Sequence, residues 1–163
     1  MKNHSPKRNR KRNGLFVFLA CFIFFSCENR AIYNQYQAVD NAVWEKDKEY
    51  YFTFQIEDNS IPYDVIFEVR NSNVYPYQNL WLFFNEERPV GPMVRDTVEC
   101  MLADEFGRWK GSGISLFQAG IPIRSNYLFP DKGQYTINFR QGMRTDALKG
   151  IQEIGLRIEK AKR

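Results

Sequence analysis

The chain of 163 residues has the length of a single domain, and 16% of its residues are aromatic. Its formal charge of +4 is uneven, because six of the 23 basic residues precede Glu28 and no acidic residue does. The rest of the chain has 17 basic and 19 acidic residues, a formal charge of −2. A mildly acidic body without a basic stripe excludes nucleic acid as a partner.

The histidine and cysteine content excludes several kinds of site. The sole histidine, His4, lies in the N-terminal leader. A body without histidine cannot build a Ser-His-Asp or Cys-His site and lacks the usual zinc ligands. We therefore predict no catalytic residues, no metal and no cofactor, and an enzyme is the least supported interpretation. Of the three cysteines, only Cys100 lies beyond Cys27, so a chain that begins at Cys27 has no thiol pair for an internal disulfide if Cys27 is acylated.

The leader combines a basic N-terminus with an apolar run over residues 15–25. Its 11 residues are too few for a transmembrane helix, which needs about 20. Residues 1–26 are therefore predicted to be a signal peptide. The following Ser26-Cys27 resembles a bacterial lipobox, in which the cysteine becomes the first mature residue and carries acyl chains that anchor it in a membrane. Cys27 is the predicted lipidation site; a plain secretory signal or an uncleaved anchor is the alternative.

The chain after the leader divides at residue 45. Residues 27–45 are polar with scattered aromatic residues and no sustained period, which predicts a lipidated N-terminus and a tether. Residues 46–163 form the predicted domain. Apolar and polar residues alternate there in several runs, which is the pattern of half-buried strands. The alternating runs are 50–57, 63–70, 94–102, 135–140 and 154–158.

Details of these runs predict how the strands are used. The runs 50–57 and 63–70 are separated by a turn sequence and are predicted to form a hairpin. Residues 80–84 are apolar on both faces, which indicates a central strand or a strand covered by a loop. Pro122 predicts an edge strand or a crossing segment, because proline cannot donate to an inner ladder. Cys100 falls on the inward face of its run and is predicted to be a buried, inert thiol.

Seven or eight closely spaced strands without an amphipathic helix predict an all-β fold. We expect an antiparallel β-sandwich of immunoglobulin-like or jelly-roll type, with a closed barrel as the alternative.

A group of aromatic residues with one arginine forms a candidate interaction surface. Exposed Trp and Tyr on a sandwich can stack on sugar rings, as in carbohydrate-binding modules, and Trp, Tyr and Arg are also enriched in protein interfaces. The same aromatic residues can instead fill the core or seal an end of the sandwich. The candidates are Tyr75, Tyr77, Trp81, Arg108 and Trp109.

Several segments resemble the signature of gliding motility lipoproteins of the GldH family from Bacteroidetes. They are NSNVYPYQNLWLFF at 71–84, DTVE at 96–99, GRWKGSG at 107–113 and GIQEIGLRIEK at 150–160. The resemblance implies a membrane-anchored, non-enzymatic component of the gliding machinery, linked to type IX secretion. It implies other gliding or secretion lipoproteins and envelope proteins as partners. Only Cys27 carries over as a functional position.

The residues after the predicted lipid bear on location. Residues 28–30 lack the strongly acidic run that resembles surface-export signals in these bacteria. We therefore expect an outer-membrane anchor with the domain facing the periplasm, and the inner membrane is the alternative.

Overall fold

The computed structural model describes residues 30–162, which form an all-β domain. The domain contains ten strands and one short 3₁₀ turn. In chain order these are β1 (Ala31–Ala38), the 3₁₀ turn Asp40–Ala42, β2 (Val43–Glu45), β3 (Glu49–Ile56), β4 (Tyr63–Ser72), β5 (Asn79–Glu87), β6 (Val94–Met101), β7 (Leu116–Tyr127), β8 (Gly133–Gln141), β9 (Ala147–Lys149) and β10 (Ile151–Lys160).

The strands form two four-stranded antiparallel sheets and a two-stranded ribbon. Sheet I has the order β1-β10-β4-β7, sheet II has the order β3-β8-β5-β6, and β2 pairs with β9. The inner faces of the two sheets supply one continuous hydrophobic core, so the predicted β-sandwich is confirmed. The strand count of seven or eight differs, because the sequence pattern missed β1 and the two strands of the ribbon.

The core follows the alternation in the sequence. Inward residues of β3, β8 and β10 are all buried, as predicted. Phe139 lies at the centre, with its ring 4.9 Å from that of Phe67 in sheet I and 5.9 Å from that of Phe52 in sheet II. Aromatic rings at this separation contribute beyond their buried area. Pro122 lies on β7, which is an edge strand, the first of the two predicted alternatives.

The predicted hairpin of the first two alternating runs is wrong. Strand β3 pairs with β8 in sheet II, whereas β4 lies between β10 and β7 in sheet I. The connection 57–62 therefore crosses between the sheets. Asp58 shapes it, since its Oδ1 accepts hydrogen bonds from the Ser60 backbone N–H at 2.9 Å and from the Ser60 hydroxyl at 2.6 Å.

The predicted tether is also corrected. Residues 31–38 form β1 along the edge of sheet I, and Trp44 is fully buried, so the domain begins well before residue 46. Strand β1 is an edge strand that pairs only with β10, and its residues are half-buried or exposed rather than fully buried. Its register also shifts between Ala31 and Tyr33. Both features weaken the regular apolar and polar alternation by which a strand is found in a sequence. The predicted signal peptide and residues 27–29 lie outside the described residues.

The topology gives the sandwich two distinct ends. Arg30 enters at one end, beside Lys160, whose N–H donates to the Arg30 carbonyl at 3.1 Å. We call this the near end. The distal end carries the connections 73–78 and 102–115 and the turn after β8. Because β10 has 10 residues, the two ends lie about 30 Å apart. Among residues 30–162, no helix is long and apolar enough to span a membrane.

Cys100 is the free cysteine of the described residues, and it is fully buried, as predicted. Burial disfavours the thiolate and raises the pKa of the Cys100 thiol to about 12, with nearby Glu99 adding to the effect. We expect a chain beginning at Glu28 to resist thiol-specific reagents at neutral pH and to react rapidly once unfolded in urea. A Ser60→Cys variant supplies an exposed thiol as the control. Labelling of native Cys100 at the rate of that control would contradict this prediction.

Candidate interaction surface

Strand β5 turns large aromatic side chains to the outer face of sheet II. Because Leu80, Leu82 and Phe84 face the core, the alternation places Trp81 and Phe83 on the opposite side. Each of these two remains 39% exposed. Tyr51 of β3 and Tyr77 of the preceding connection are also exposed. We call Tyr51, Tyr77, Trp81 and Phe83 the aromatic face, and such an exposed group is typical of a binding surface.

The aromatic face contains a first depression of about 530 Å³ around Tyr51 and Phe83. Three of its polar side chains are hydrogen-bonded to one another: the Asn85 amide donates to Asn138 Oδ1 at 2.8 Å, and Asn138 in turn donates to Glu49 Oε2 at 2.8 Å. The Arg140 guanidinium lies over the Phe83 ring, 5.0 Å from its centroid. This depression offers flat rings with hydrogen-bonding groups beside them.

A second depression of about 500 Å³ lies nearer the distal end, and we call it the distal depression. It is lined by Tyr77, Asn79, Trp81, Gly142, Met143 and Arg144. The Trp81 backbone N–H donates to the Met143 sulfur at 3.4 Å, and the Gly142 N–H donates to the Trp81 carbonyl at 2.7 Å. These two bonds hold the turn after β8 against β5.

Of the candidate residues from the sequence, Tyr77 and Trp81 share the distal depression, whereas Tyr75 belongs to the core. Tyr75 is only 2% exposed, and its hydroxyl donates to the Asn79 carbonyl at 2.8 Å. Burial raises the pKa of the Tyr75 phenol far above its ordinary value. Tyr75 therefore supports the surface from beneath, with its ring 5.8 Å from that of Tyr77.

Trp109 is half-buried and packs at the distal end, on the side of sheet I. Its ring lies 5.8 Å from that of Phe117 and 6.3 Å from that of Tyr75, and its indole N–H donates to Asn73 Oδ1 at 2.9 Å. Trp109 thus seals the end of the sandwich, which is one of the roles that the sequence left open for it.

Arg108 is exposed but is bound within its own turn. Asp104 Oδ1 accepts hydrogen bonds from the backbone N–H groups of Phe106 and Arg108, both at 2.9 Å, and Oδ2 accepts from Arg108 Nε at 2.7 Å. These donors, with the Arg108 N–H first among them, lower the pKa of the Asp104 carboxyl. Gly107 supplies the left-handed residue that this turn requires, at φ 76°.

Four further residues of this surface were not among the candidates predicted from the sequence: Tyr51, Phe83, Met143 and Arg144. Tyr51 and Phe83 had a signal, since each lies out of phase with the buried residues of its strand. Met143 and Arg144 belong to an irregular turn, where no period indicates direction. Cys27, the predicted lipidation site, lies outside the described residues and three positions before Arg30.

A cluster of ionisable side chains is buried toward the near end of the sandwich. Glu86 of β5 is fully buried, and its Oε1 accepts hydrogen bonds from Arg88 Nε at 2.8 Å and from the Tyr127 hydroxyl at 3.3 Å. Arg124 Nε lies 3.6 Å from Glu86 Oε2. Burial, followed by the charge of Glu86, raises the pKa of the Tyr127 phenol. The cluster joins sheet II to β7 of sheet I and acts as a structural ion group.

Comparison with known proteins identifies the family. The family model described as "GldH lipoprotein" matches residues 31–158, which is nearly all of the described domain. A protein named gliding motility lipoprotein GldH homolog, from Christiangramia forsetii, is 30% identical over 93% of this chain and 98% of its own length. The gliding motility lipoprotein GldH of Flavobacterium johnsoniae is 30% identical over 92% of this chain and 98% of its own length. The chain belongs to the GldH lipoprotein family and is a lipoprotein of the cell envelope.

Proposed function

We propose that the chain is a non-enzymatic component of the gliding machinery, linked to type IX secretion and anchored by acyl chains on Cys27. The names of its relatives, which are gliding motility lipoproteins, support the role in gliding. The observation that carries a non-enzymatic role is the aromatic face, four exposed rings on the outside of a rigid sheet. Such a surface binds a partner, whereas an enzyme needs polar groups that converge on a reacting atom.

The polar groups beside these rings support the same proposal. In the first depression, Glu49, Asn85 and Asn138 hydrogen-bond to one another. A general acid or base must instead point its reactive atom at a substrate. The sole histidine of the sequence, His4, lies in the leader.

The proposed location is the outer membrane, with the domain in the periplasm. Cys27 precedes Arg30 by three residues, which span at most about 10 Å. Arg30 immediately precedes β1 at the near end of the sandwich. A lipid on Cys27 therefore holds the near end close to the membrane surface.

A Cys27→Ser variant tests the anchor. Because acyl chains on the cysteine supply the membrane affinity, we expect the variant to move from the membrane fraction to the soluble fraction, with the domain still folded. A deletion strain that carries this variant should glide and export surface adhesins poorly, as should the deletion itself. The matched control is Cys100→Ser, which replaces the buried thiol of the domain. This variant should remain in the membrane fraction.

Normal gliding and normal adhesin export in the deletion strain would overturn the proposed function. Retention of the Cys27→Ser protein in the membrane fraction would overturn the anchor alone.

The second candidate function is an envelope carbohydrate-binding module. The observation in its favour is the first depression, where the Tyr51 and Phe83 rings lie beside two asparagine amides. A glycan array and a peptidoglycan pull-down with the purified chain test this function. Binding that is lost in Phe83→Ala would support it, and the absence of binding would reject it.

A further inference from the structure

We propose that the distal depression is a docking site for a protein segment of an envelope partner that presents a large apolar side chain next to a carboxylate. This inference rests on the proposed function, because a non-enzymatic component of a machine acts by holding another protein. It goes further in assigning the surface and the chemistry of the bound segment.

The position of the depression selects a protein over the membrane. Trp81 and Tyr77 lie toward the distal end, whereas the chain enters at Arg30 on the near end. The ends are separated by the length of β10, whose 10 residues extend about 30 Å. The anchor on Cys27 therefore brings the near end, and not this depression, to the bilayer.

The floor of the depression favours an apolar side chain. Trp81 is 39% exposed and Tyr77 is 40% exposed. The Met143 side chain extends from the turn after β8 to the backbone of Trp81 on β5. Gly142 has no side chain that could fill the floor of the depression. A Cβ at this position would lie 3.3 Å from the Phe83 ring and 3.3 Å from the Trp81 carbonyl oxygen, which is a tight contact. Trp and Tyr are enriched among the few residues that dominate binding energy in protein interfaces, and methionine adapts to the shape of its partner.

The rim of the depression favours a carboxylate. Arg144 is exposed and makes no ion pair within residues 30–162. Two other arginines differ: Arg140 lies over Phe83 and 3.9 Å from Asp47, and Arg108 is bound to Asp104. A guanidinium that is free for two parallel hydrogen bonds is suited to an acidic side chain or a terminal carboxylate.

The remaining polar group argues against a sugar as the occupant. Sugar hydroxyls need several directional partners around a stacking ring. Apart from the Tyr77 hydroxyl and the Trp81 indole N–H, the neutral polar group of the lining is the Asn79 amide, which donates to Glu99 Oε1 at 2.6 Å. The distal depression therefore offers mainly aromatic and apolar area with one cation, which matches a peptide better than a saccharide.

The test is a selection of short random peptides, displayed on phage, against the full-length lipidated protein in detergent. We expect the enriched peptides to carry an aromatic residue or leucine beside Asp or Glu. A synthetic peptide of the enriched sequence should bind about 30-fold more weakly to Trp81→Ala, as expected for a central interface residue. Arg144→Glu should weaken binding about tenfold through loss of the charge pair.

The controls separate the site from general effects of charge and folding. Lys149→Glu makes the same charge change at another exposed distal position and should leave binding unchanged. Phe106→Ala removes an exposed aromatic ring that lies outside the aromatic face and should also have no effect. Unaltered circular dichroism and unaltered urea midpoints establish that each variant is folded.

Three outcomes would overturn the proposal: no enrichment over a blank surface, enriched peptides without an acidic residue, or equal binding to the wild type and Arg144→Glu. A saccharide from a glycan array that binds wild type and not Trp81→Ala would reassign the depression to sugars. The selection is independent of motility. If peptides bind as expected while the deletion strain glides normally, the proposed function fails and the site stands. If no peptide binds while the deletion strain fails to glide, the site alone is overturned.

Discussion

Glu86→Ala should lower the free energy of unfolding by about 3–5 kcal/mol, because it removes one partner of a buried ion group. The Glu86 carboxylate is fully buried between Arg88 and Arg124, and each arginine side chain is 23% exposed. Without it, two guanidinium groups remain in partial burial with no compensating charge. The Arg124 guanidinium is further confined, since it lies 5.2 Å from the centroid of the Phe84 ring. Urea denaturation followed by tryptophan fluorescence measures the loss.

Two other substitutions separate the contributions to this loss. Glu86→Gln keeps the shape and an acceptor for Arg88, so it should lose less stability than alanine. Glu87→Ala removes the neighbouring exposed carboxylate and should change stability by at most about 0.5 kcal/mol. If Glu86→Ala and Glu87→Ala unfold at the same urea concentration, the ion group does not stabilise the sandwich.

Phe139→Ala should cost about 3–5 kcal/mol of folding stability, since it opens a cavity at the centre of the core. The Phe139 ring touches both sheets: its centroid lies 4.9 Å from that of Phe67 in sheet I and 6.3 Å from that of Phe84 in sheet II. The surrounding strands cannot close the gap, because each is fixed in its hydrogen-bonded ladder. Thermal and urea unfolding of the purified variant measure the change.

Phe83→Ala is the matched control for this cavity. It removes the same side chain from the neighbouring strand β5, but from the outer face, where the ring is 39% exposed. We expect a loss of at most about 1 kcal/mol. Equal losses in the two variants would contradict the assignment of inner and outer faces to sheet II.

The direction of side chains within a strand could be predicted from the sequence, whereas the pairing of strands could not. The alternation in 50–57 and 135–140 identified the buried residues of β3 and β8, because side-chain direction depends only on the strand itself. Pairing depends on strands far apart in the chain, as in the ladder that joins Phe52 to Ile137. The predicted hairpin of β3 with β4 was wrong for that reason.

The candidate surface was predictable to a similar extent. Trp81 and Tyr77 were identified from residue type alone, and the structure brings them together in the distal depression. Tyr75 has the same residue type and spacing, but it is buried because the connection 73–78 turns it inward. Arg144 joins the depression through a turn whose path is set by the hydrogen bond from Gly142 to Trp81. No local pattern in the sequence records such a path.

Strand β1 determines how the domain carries a mechanical load. The chain enters at Arg30, and β1 then runs from the near end toward the distal end while paired with β10. A pull on Arg30 that is resisted at the distal end acts along the strand. The hydrogen bonds of the ladder lie across this direction, so they bear the force together rather than opening one at a time. A domain that is pulled at Arg30 and held at the distal end is thus loaded in shear, the loading direction in which a β-ladder is strongest.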